Sequence, residues 1–229
     1  MKPIILTYIW CESDNEISKT SEFRRSVSHF GYELINVHPK GAYFKGHGEV
    51  FQQLYNTICD LPPDQMVVYS DGADTFFLRE IEPPTDCILY STEKAYYPTD
   101  GKQDRYTNKL TPWCYLNGGG WSGPAGLVRE YFERFGLSKL KGDINGQQAQ
   151  HNAYFAAMDS GFPVELDQFC NEFQSIAFRS ECDFMTEFWK DKGILINNLI
   201  TNTYPALFHG NGRTPMGWVY DLLPKKSNA

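Results

Sequence analysis

Residues 66–78 read MVVYSDGADTFFL. The apolar residues of the first half run together without alternation, which marks a strand covered on both faces. Such strands belong to α/β sheets with helices packed on either side, so this stretch decides the fold class. Its end needs explaining. Asp71 and Asp74 stand three positions apart, with only Gly72 and Ala73 between them. One reading is a turn that caps the next element, a common use of aspartate. The other is a pair of carboxylates, about one turn apart, sharing a hard divalent cation such as Mn²⁺ or Mg²⁺. Ligands of open α/β sheets collect at the carboxyl ends of strands, where this pair sits.

The flanking sequence alternates strand and helix. PIILTYIW (3–10) reads as a buried first strand, SEFRRSVSHFG (21–31) as a helix stopped by Gly31, and YELINVHP (32–39) as a strand ended by Pro39. Val50, Leu54 and Ile58 recur at helical spacing between Glu49 and Asp60. DCILYSTE (86–93) repeats the strand pattern, residues 94–112 are loop-like, and WCYLNGGGWSGP (113–124) reads as a strand broken by three glycines. Helices follow at 127–136 and 148–161, then short strands at VELDQ (164–168) and FQSIAF (173–178), and the apolar run of TYPALFHGNG (203–212). There is no repeat, low-complexity run or linker. A single domain with a mixed, mostly parallel central sheet is expected.

At 229 residues the chain is long enough for a substantial core. Its 15% aromatic content adds rigid packing and ring surfaces. A net charge of -7 argues against a generally basic nucleic-acid face. The opening residues lack the features of a signal peptide, and no window approaches the ~20 apolar residues of a membrane helix. A cytoplasmic protein, without membrane insertion, is therefore expected. The six cysteines are scattered without CxxC spacing and are expected to be reduced; Cys170 and Cys182 are the pair whose joining stays open.

Two further stretches carry chemistry. In FHGNGRTP (208–215), glycines around Asn211 make a loop whose N–H groups suit phosphate oxygens, Arg213 adds charge and His209 offers a nitrogen ligand. A turn with a satisfied histidine is the plainer alternative. In YLNGGGWSG (115–123), the glycine triplet permits close approach of a ligand and Asn117 offers donor and acceptor, or the triplet makes a β-bulge.

Asp-x-x-Asp after one strand, Leu-Asn-x-Gly-Gly after another and His-Gly-Asn-Gly near the end, in this order, resemble one family. It is the glycosyltransferase domain of procollagen lysyl hydroxylases, with the collagen galactosyltransferases and related viral and bacterial proteins. YSTEKAYYP (90–98) and LDQFCNEFQS (166–175) extend the resemblance from about Ile4 to Pro215. It implies a GT-A fold, with a nucleotide half at about 1–90, an acceptor half at about 91–215 and a tail at 216–229. It also implies a UDP-sugar donor and Mn²⁺ or Mg²⁺ held by Asp71, Asp74 and His209. Thr7 and Tyr8 would face the uridine, with Lys45 and Ser70 in the nucleotide set. Gly210, Asn211, Gly212 and Arg213 would lie against the diphosphate. Asn117 and Gly118 would line the sugar pocket, and Tyr97 would stand near the acceptor. The implied acceptor is a hydroxyl of a glycan, of hydroxylysine-like protein or of a hydroxymethylated DNA base, the last served by Lys102, Arg105, Lys109 and Arg213.

The chain departs from the family in two places. Where the family has Asp-Asp-Gln before a helix, Gln148, Ala149 and Gln150 stand here. Glutamine binds hydroxyls but takes no proton, so an inverting reaction needs a base from Asp143, Glu93 or Asp167. A retaining route, in which the departing phosphate takes the proton, needs none. A catalytically silent UDP- or glycan-binding module of the same fold is the alternative function. Ala73 replaces an aromatic that packs on uracil, leaving Tyr8 or Trp10 for that role. Hydrolase and dehydrogenase readings lack GxSxG, and GxGxxG after the first strand.

Overall fold

The computed structural model describes residues 2–9, 14–38, 44–97, 100–177, 183–191 and 193–223, with backbone alone at 14–19 and 213. Its strands in chain order are β1 (Ile4–Thr7), β2 (Glu33–Asn36), β3 (Met66–Ser70), β4 (Thr75–Phe77), β5 (Ile88–Glu93) and β6 (Tyr115–Pro124), then β7 (Val164–Leu166), β8 (Phe173–Ser175), β9 (Phe184–Trp189), β10 (Gly193–Asn198) and β11 (Leu207–His209). Five helices complete it: α1 (Asp14–His29), α2 (His47–Cys59), α3 (Ala125–Arg134), α4 (Gly146–Asp159) and α5 (Gly217–Tyr220). The central sheet has the order β2-β1-β3-β6-β5-β7. The β1–β2, β1–β3 and β5–β7 ladders are parallel, and β6 runs antiparallel to both β3 and β5.

β3 lies inside this sheet, which explains its unbroken apolar run. Val67 joins a core with Phe51, Leu54 and Ile58 of α2 and Val128 and Phe132 of α3. Val68 faces the other way, among Phe23 and Val27 of α1 and Phe77 of β4. Each such side chain is stabilised by about 1.5–3 kcal/mol on burial, so consecutive valines hold helices on opposite faces of one strand. α1 ends where expected, at a turn through Gly31, whose φ of 66° favours glycine.

The expectation of a strand broken at its glycines is corrected. β6 is a continuous strand of ten residues. On the β3 side its register holds from Met66↔Pro124 to Ser70↔Gly120. On the β5 side it slips between Tyr90↔Trp121 and Thr92↔Leu116, so residues 117–120 bulge away from β5, while the β3 ladder stops at Gly120 and only the Asp71 N–H reaches on to Gly119 O. Pairing on either side of the bulge, with β3 and β5 from Gly120 or Trp121 onward and with β5 again at Leu116, keeps the strand whole.

A second sheet, β4-β11-β8, packs beside the first, and a two-stranded β10-β9 hairpin follows β8 in sequence. The hairpin was not expected, because its first strand exposes Met185 and Phe188 and carries no two-residue alternation. The stretch expected as a tail begins with core: Val219 and Leu223 pack with Phe76 and Phe208 of the second sheet. Cys59, Cys87, Cys114 and Cys170 are free thiols, while Cys11 and Cys182 lie outside the described residues. Among the described residues no helix is long and apolar enough to cross a membrane.

Candidate functional site

The Asp71–Asp74 stretch is the turn that carries the chain from the central sheet into β4. Its backbone is fixed on three sides. The Asp71 N–H donates to Gly119 O (3.0 Å), the Gly210 N–H donates to Asp74 O (2.7 Å), and the Thr75 hydroxyl donates to Asp71 O. Thr75 Oγ1 also lies 2.7 Å from Ser70 Oγ. β11 pairs antiparallel with β4 in the register His209↔Thr75. Thr75 directly follows the turn, so this register brings the imidazole to the carboxylates. His209 Nε2 lies 3.4 Å from Asp74 Oδ1 and 3.7 Å from Asp71 Oδ2. One ligand atom from each of the three residues falls within 4.8 Å of the others. The stretch is a turn, and its two carboxylates converge on a histidine in a group that could hold a metal ion.

Asn117 decides which face His209 presents. Its Oδ1 accepts the Gly119 N–H (3.0 Å) and lies 3.1 Å from His209 Nδ1. A carbonyl oxygen only accepts, so Nδ1 carries a proton and Nε2 is the nitrogen turned to the carboxylates. Burial works against charge on His209, but Asp74, Asp71 and Glu93 outweigh it and raise its pKa. Burial raises Asp71, with His209 pulling the other way. At Asp74 burial is outweighed by the hydrogen bond and charge of His209, and the carboxyl is held below its ordinary range. Tyr69 Oη donates to Asp71 Oδ1 at 3.0 Å.

The glycine triplet makes these approaches possible. A Cβ on Gly119 would stand 2.2 Å from His209 Cε1 and 2.7 Å from Asp71 Oδ2. On Gly118 it would meet Gln150 Nε2 at 2.1 Å and Gln147 Oε1 at 2.7 Å. Gln147 was missed by the sequence reading. Its Oε1 accepts the Gly118 N–H at 3.0 Å and its Nε2 donates to Leu116 O at 2.9 Å. Gln148, expected in that role, turns away to Asp100 Oδ2 (2.7 Å) and Asn152 Oδ1 (3.3 Å). The signal was the cap: Asn145 accepts the Gln148 N–H, and counting helical positions from it faces Gln147 and Gln150 together.

Glu93 is buried at the centre. Its Oε2 accepts from Asn211 Nδ2 (2.8 Å), its Oε1 from Gln147 Nε2 (3.3 Å), and Asn117 donates to the same carboxyl. Burial pushes its pKa up to about 7. Asp167 has no room for a base's work, since three backbone N–H groups, of Asn171, Glu172 and Phe173, donate to it at 2.7–2.8 Å. Asp143 is exposed, with its backbone against Gly46.

The other expected residues divide. Thr7 Oγ1 and Tyr8 Oη are buried without a partner among the described residues, as is His38 Nε2, whose ring meets Tyr8 edge-on at 4.8 Å. Ser70 is engaged with Thr75 inside the turn. The Asn211 side chain points inward, its Oδ1 accepting from Ser175 Oγ (2.6 Å) and the Ala177 N–H (3.1 Å). The Gly210 N–H is taken by Asp74 O. Gly212 is exposed with φ 67°. Lys45 is exposed, 3.9 Å from Glu49, and Tyr97 is 67% exposed on its loop. Trp10 and the Arg213 side chain lie outside the described residues. Lys102 and Arg105 pair with Asp100 (3.3 Å) and Asp159 (2.8 Å), and Lys109 lies over the Tyr115 ring, so these cations do not form a free basic groove.

Comparison with known proteins is consistent with this geometry. The PLOD GT domain family matches residues 19–218. The multifunctional procollagen lysine hydroxylase and glycosyltransferase LH3 of Pongo abelii is 24% identical over 165 residues, covering 71% of this chain and 22% of its own length. The uncharacterized protein R699 of Acanthamoeba polyphaga mimivirus is 25% identical over 176 residues, covering 73% of this chain and 36% of its own length. The chain thus spans about a fifth and about a third of these two relatives. Among solved structures, a glycosyltransferase involved in the glycosylation of the major capsid of PBCV-1 superposes with a TM-score of 0.53. At 9% identity, covering 92% of this chain and 94% of that one, the likeness is one of fold, GT-A.

Proposed function

This chain belongs to the PLOD GT domain family of glycosyltransferases, and from that premise we propose that it is metal-dependent and moves a sugar from a UDP-sugar to a hydroxyl acceptor. The observation that carries the reading is the convergence of Asp71, Asp74 and His209 with Nε2 turned inward. Two carboxylate oxygens and an imidazole nitrogen suit Mn²⁺ and admit Mg²⁺. Bound there, the ion would supply Lewis-acid stabilisation of the diphosphate that leaves.

The residues around it have separate tasks. Asn117 orients the imidazole and Tyr69 holds one oxygen of Asp71, the arrangement that outer partners give to metal ligands. The unpartnered Thr7 hydroxyl, Tyr8 hydroxyl and His38 nitrogen at the end of β1 suit the polar edges of a nucleoside. Gly212, with Lys45 and Arg213 as cations, serves the diphosphate. Gln150, whose Oε1 has no partner among the described residues, faces the sugar, and Gln147 braces Gly118 beside it. Asp143 is the exposed carboxylate assigned as base, and a retaining route dispenses with it. Of the three acceptor classes, the paired state of Lys102 and Arg105 disfavours DNA, whose binding rests on neutralising phosphates.

A second reading, a silent nucleotide-sugar-binding module, draws on the amides that stand where the family carries acids. One experiment separates them: release of UDP from a panel of UDP-sugars in water, with and without Mn²⁺. A transferase releases UDP slowly and only with the ion, and Asp71→Asn or Asp74→Asn abolishes it. Tight UDP binding with no release for any donor or acceptor selects the silent module.

A further inference from the structure

Beside Asp71, between α2, the first turn of α4 and the bulged part of β6, lies a cleft of about 140 Å³. We propose that it seats the donor's glycosyl ring and selects a neutral pentopyranose, a six-membered ring without an exocyclic carbon, over a hexopyranose. The proposal rests on the UDP-sugar reading above and names the sugar class of that same site.

The two walls differ in chemistry. On the polar wall, the Gln147 amide is engaged with Gly118 and Leu116. Gln150 is only 7% exposed, lines the cleft, and its Oε1 has no hydrogen-bond partner among the described residues. A buried acceptor left unpaired is unfavourable, and a ring hydroxyl is a donor of the right kind to relieve it.

The α2 side is carbon at Val50, Phe51 and Leu54, with the His47 ring at the start of the helix, against Gly146, and the Tyr69 and Trp121 rings completing the lining. A hydroxymethyl group turned against Val50, Phe51 and Leu54 would give up its water and gain no partner from those three side chains. Ring C–H groups lose nothing there. Size points the same way for a ring seated inside the cleft, since an enclosed cavity of ~150 Å³ accepts a bare benzene ring and the α2 side leaves little space for a substituent turned toward it. Among the described lining residues there is no lysine or arginine, and Asp71 is a carboxylate, which disfavours a uronic acid.

The test is titration calorimetry of the full chain with Mn²⁺, comparing UDP, UDP-xylose and UDP-glucose; the two sugars differ only in the exocyclic hydroxymethyl group. UDP-xylose is expected to bind about 10–100-fold more tightly than UDP-glucose, the range a single misplaced group commands in a shaped pocket. Val50→Ala, which opens the carbon wall, should narrow that ratio, and Gln150→Leu should bring UDP-xylose down toward UDP. Equal or tighter binding of UDP-glucose overturns the sugar inference while UDP binding keeps the transferase reading intact. Failure of UDP itself to bind with Mn²⁺ overturns both.

Discussion

Asp167 and Glu93 are both buried carboxylates, and they are held in opposite ways. Asp167 is held by the backbone of its own corner, through three N–H groups. Glu93 is held by side-chain amides of Asn117, Asn211 and Gln147, which come from three distant segments. Backbone donors fix the course of a chain. Side-chain donors fix one another: Asn117 sets the imidazole, and Gln147 sets Gly118. Burial raises the pKa of both carboxyls. The difference separates a carboxylate that keeps shape from one that keeps a site in order.

Substitution tests this contrast most strongly at Asp167. Asp167→Ala leaves three backbone N–H groups without their acceptor, two of them buried, and is expected to lower stability by about 3 kcal/mol or more in urea unfolding at pH 7. Mn²⁺-dependent UDP binding by the folded fraction should stay as it was; loss of binding with full stability would break the comparison.

The next effect is a slope with pH in the metal-free protein. Glu93 ionises at about 7 when folded, against an ordinary value of 4.5. Between these values the folded chain keeps a proton that the unfolded chain has released. Its stabilising contribution is therefore full below 4.5 and is lost as pH rises through about 7, on the order of 3 kcal/mol in all. Unfolding measured from pH 4.5 to 7.5 should show this decline, and Glu93→Gln should remove Glu93's share of it, leaving those of Asp71, Asp167 and His209.

The smallest effect sharpens the contrast from the other side. Glu93→Gln resembles the protonated carboxyl but leaves one neighbouring donor without an acceptor, and should cost on the order of 1 kcal/mol of stability at neutral pH. It should still weaken Mn²⁺-dependent UDP binding about tenfold, since its amide cannot serve all three neighbouring donors. An unchanged affinity would reduce Glu93 to packing.

Much of this was legible in the sequence, and the misses have physical causes. The apolar run of β3 announced a strand covered on both faces, and the order of Asp71, Asp74, Asn117 and His209 motifs led to the cluster. Gln148 was chosen over Gln147 because one residue on a helix turns a side chain by about 100°, and only the Asn145 cap fixes the phase. Ser70 and the Asn211 amide looked available for a nucleotide because nothing local reveals that Thr75 and Ser175 will engage them. At β6 the break and the β-bulge both stood open because a glycine triplet suits either, and only the strand pairing selects the bulge. The β9–β10 hairpin was invisible because its exposed aromatics break the alternation that marks a half-buried strand.

β11 is clasped on both edges, by β4 and by β8. The chain leaves this sheet after Ser175 and returns at Leu207, so the whole excursion between them, hairpin included, is anchored at both ends independently of its length. Loop-closure entropy grows slowly with added residues, which makes the exposed β9 side of this stretch, rather than the buried Leu195 and Ile196 of β10, the place where inserted or deleted sequence should cost least. A single residue added within β4 or β11 is another matter: it would turn the imidazole to the opposite face of the sheet. Tolerance to insertion and deletion should therefore change abruptly, within a few residues, on either side of that clasp.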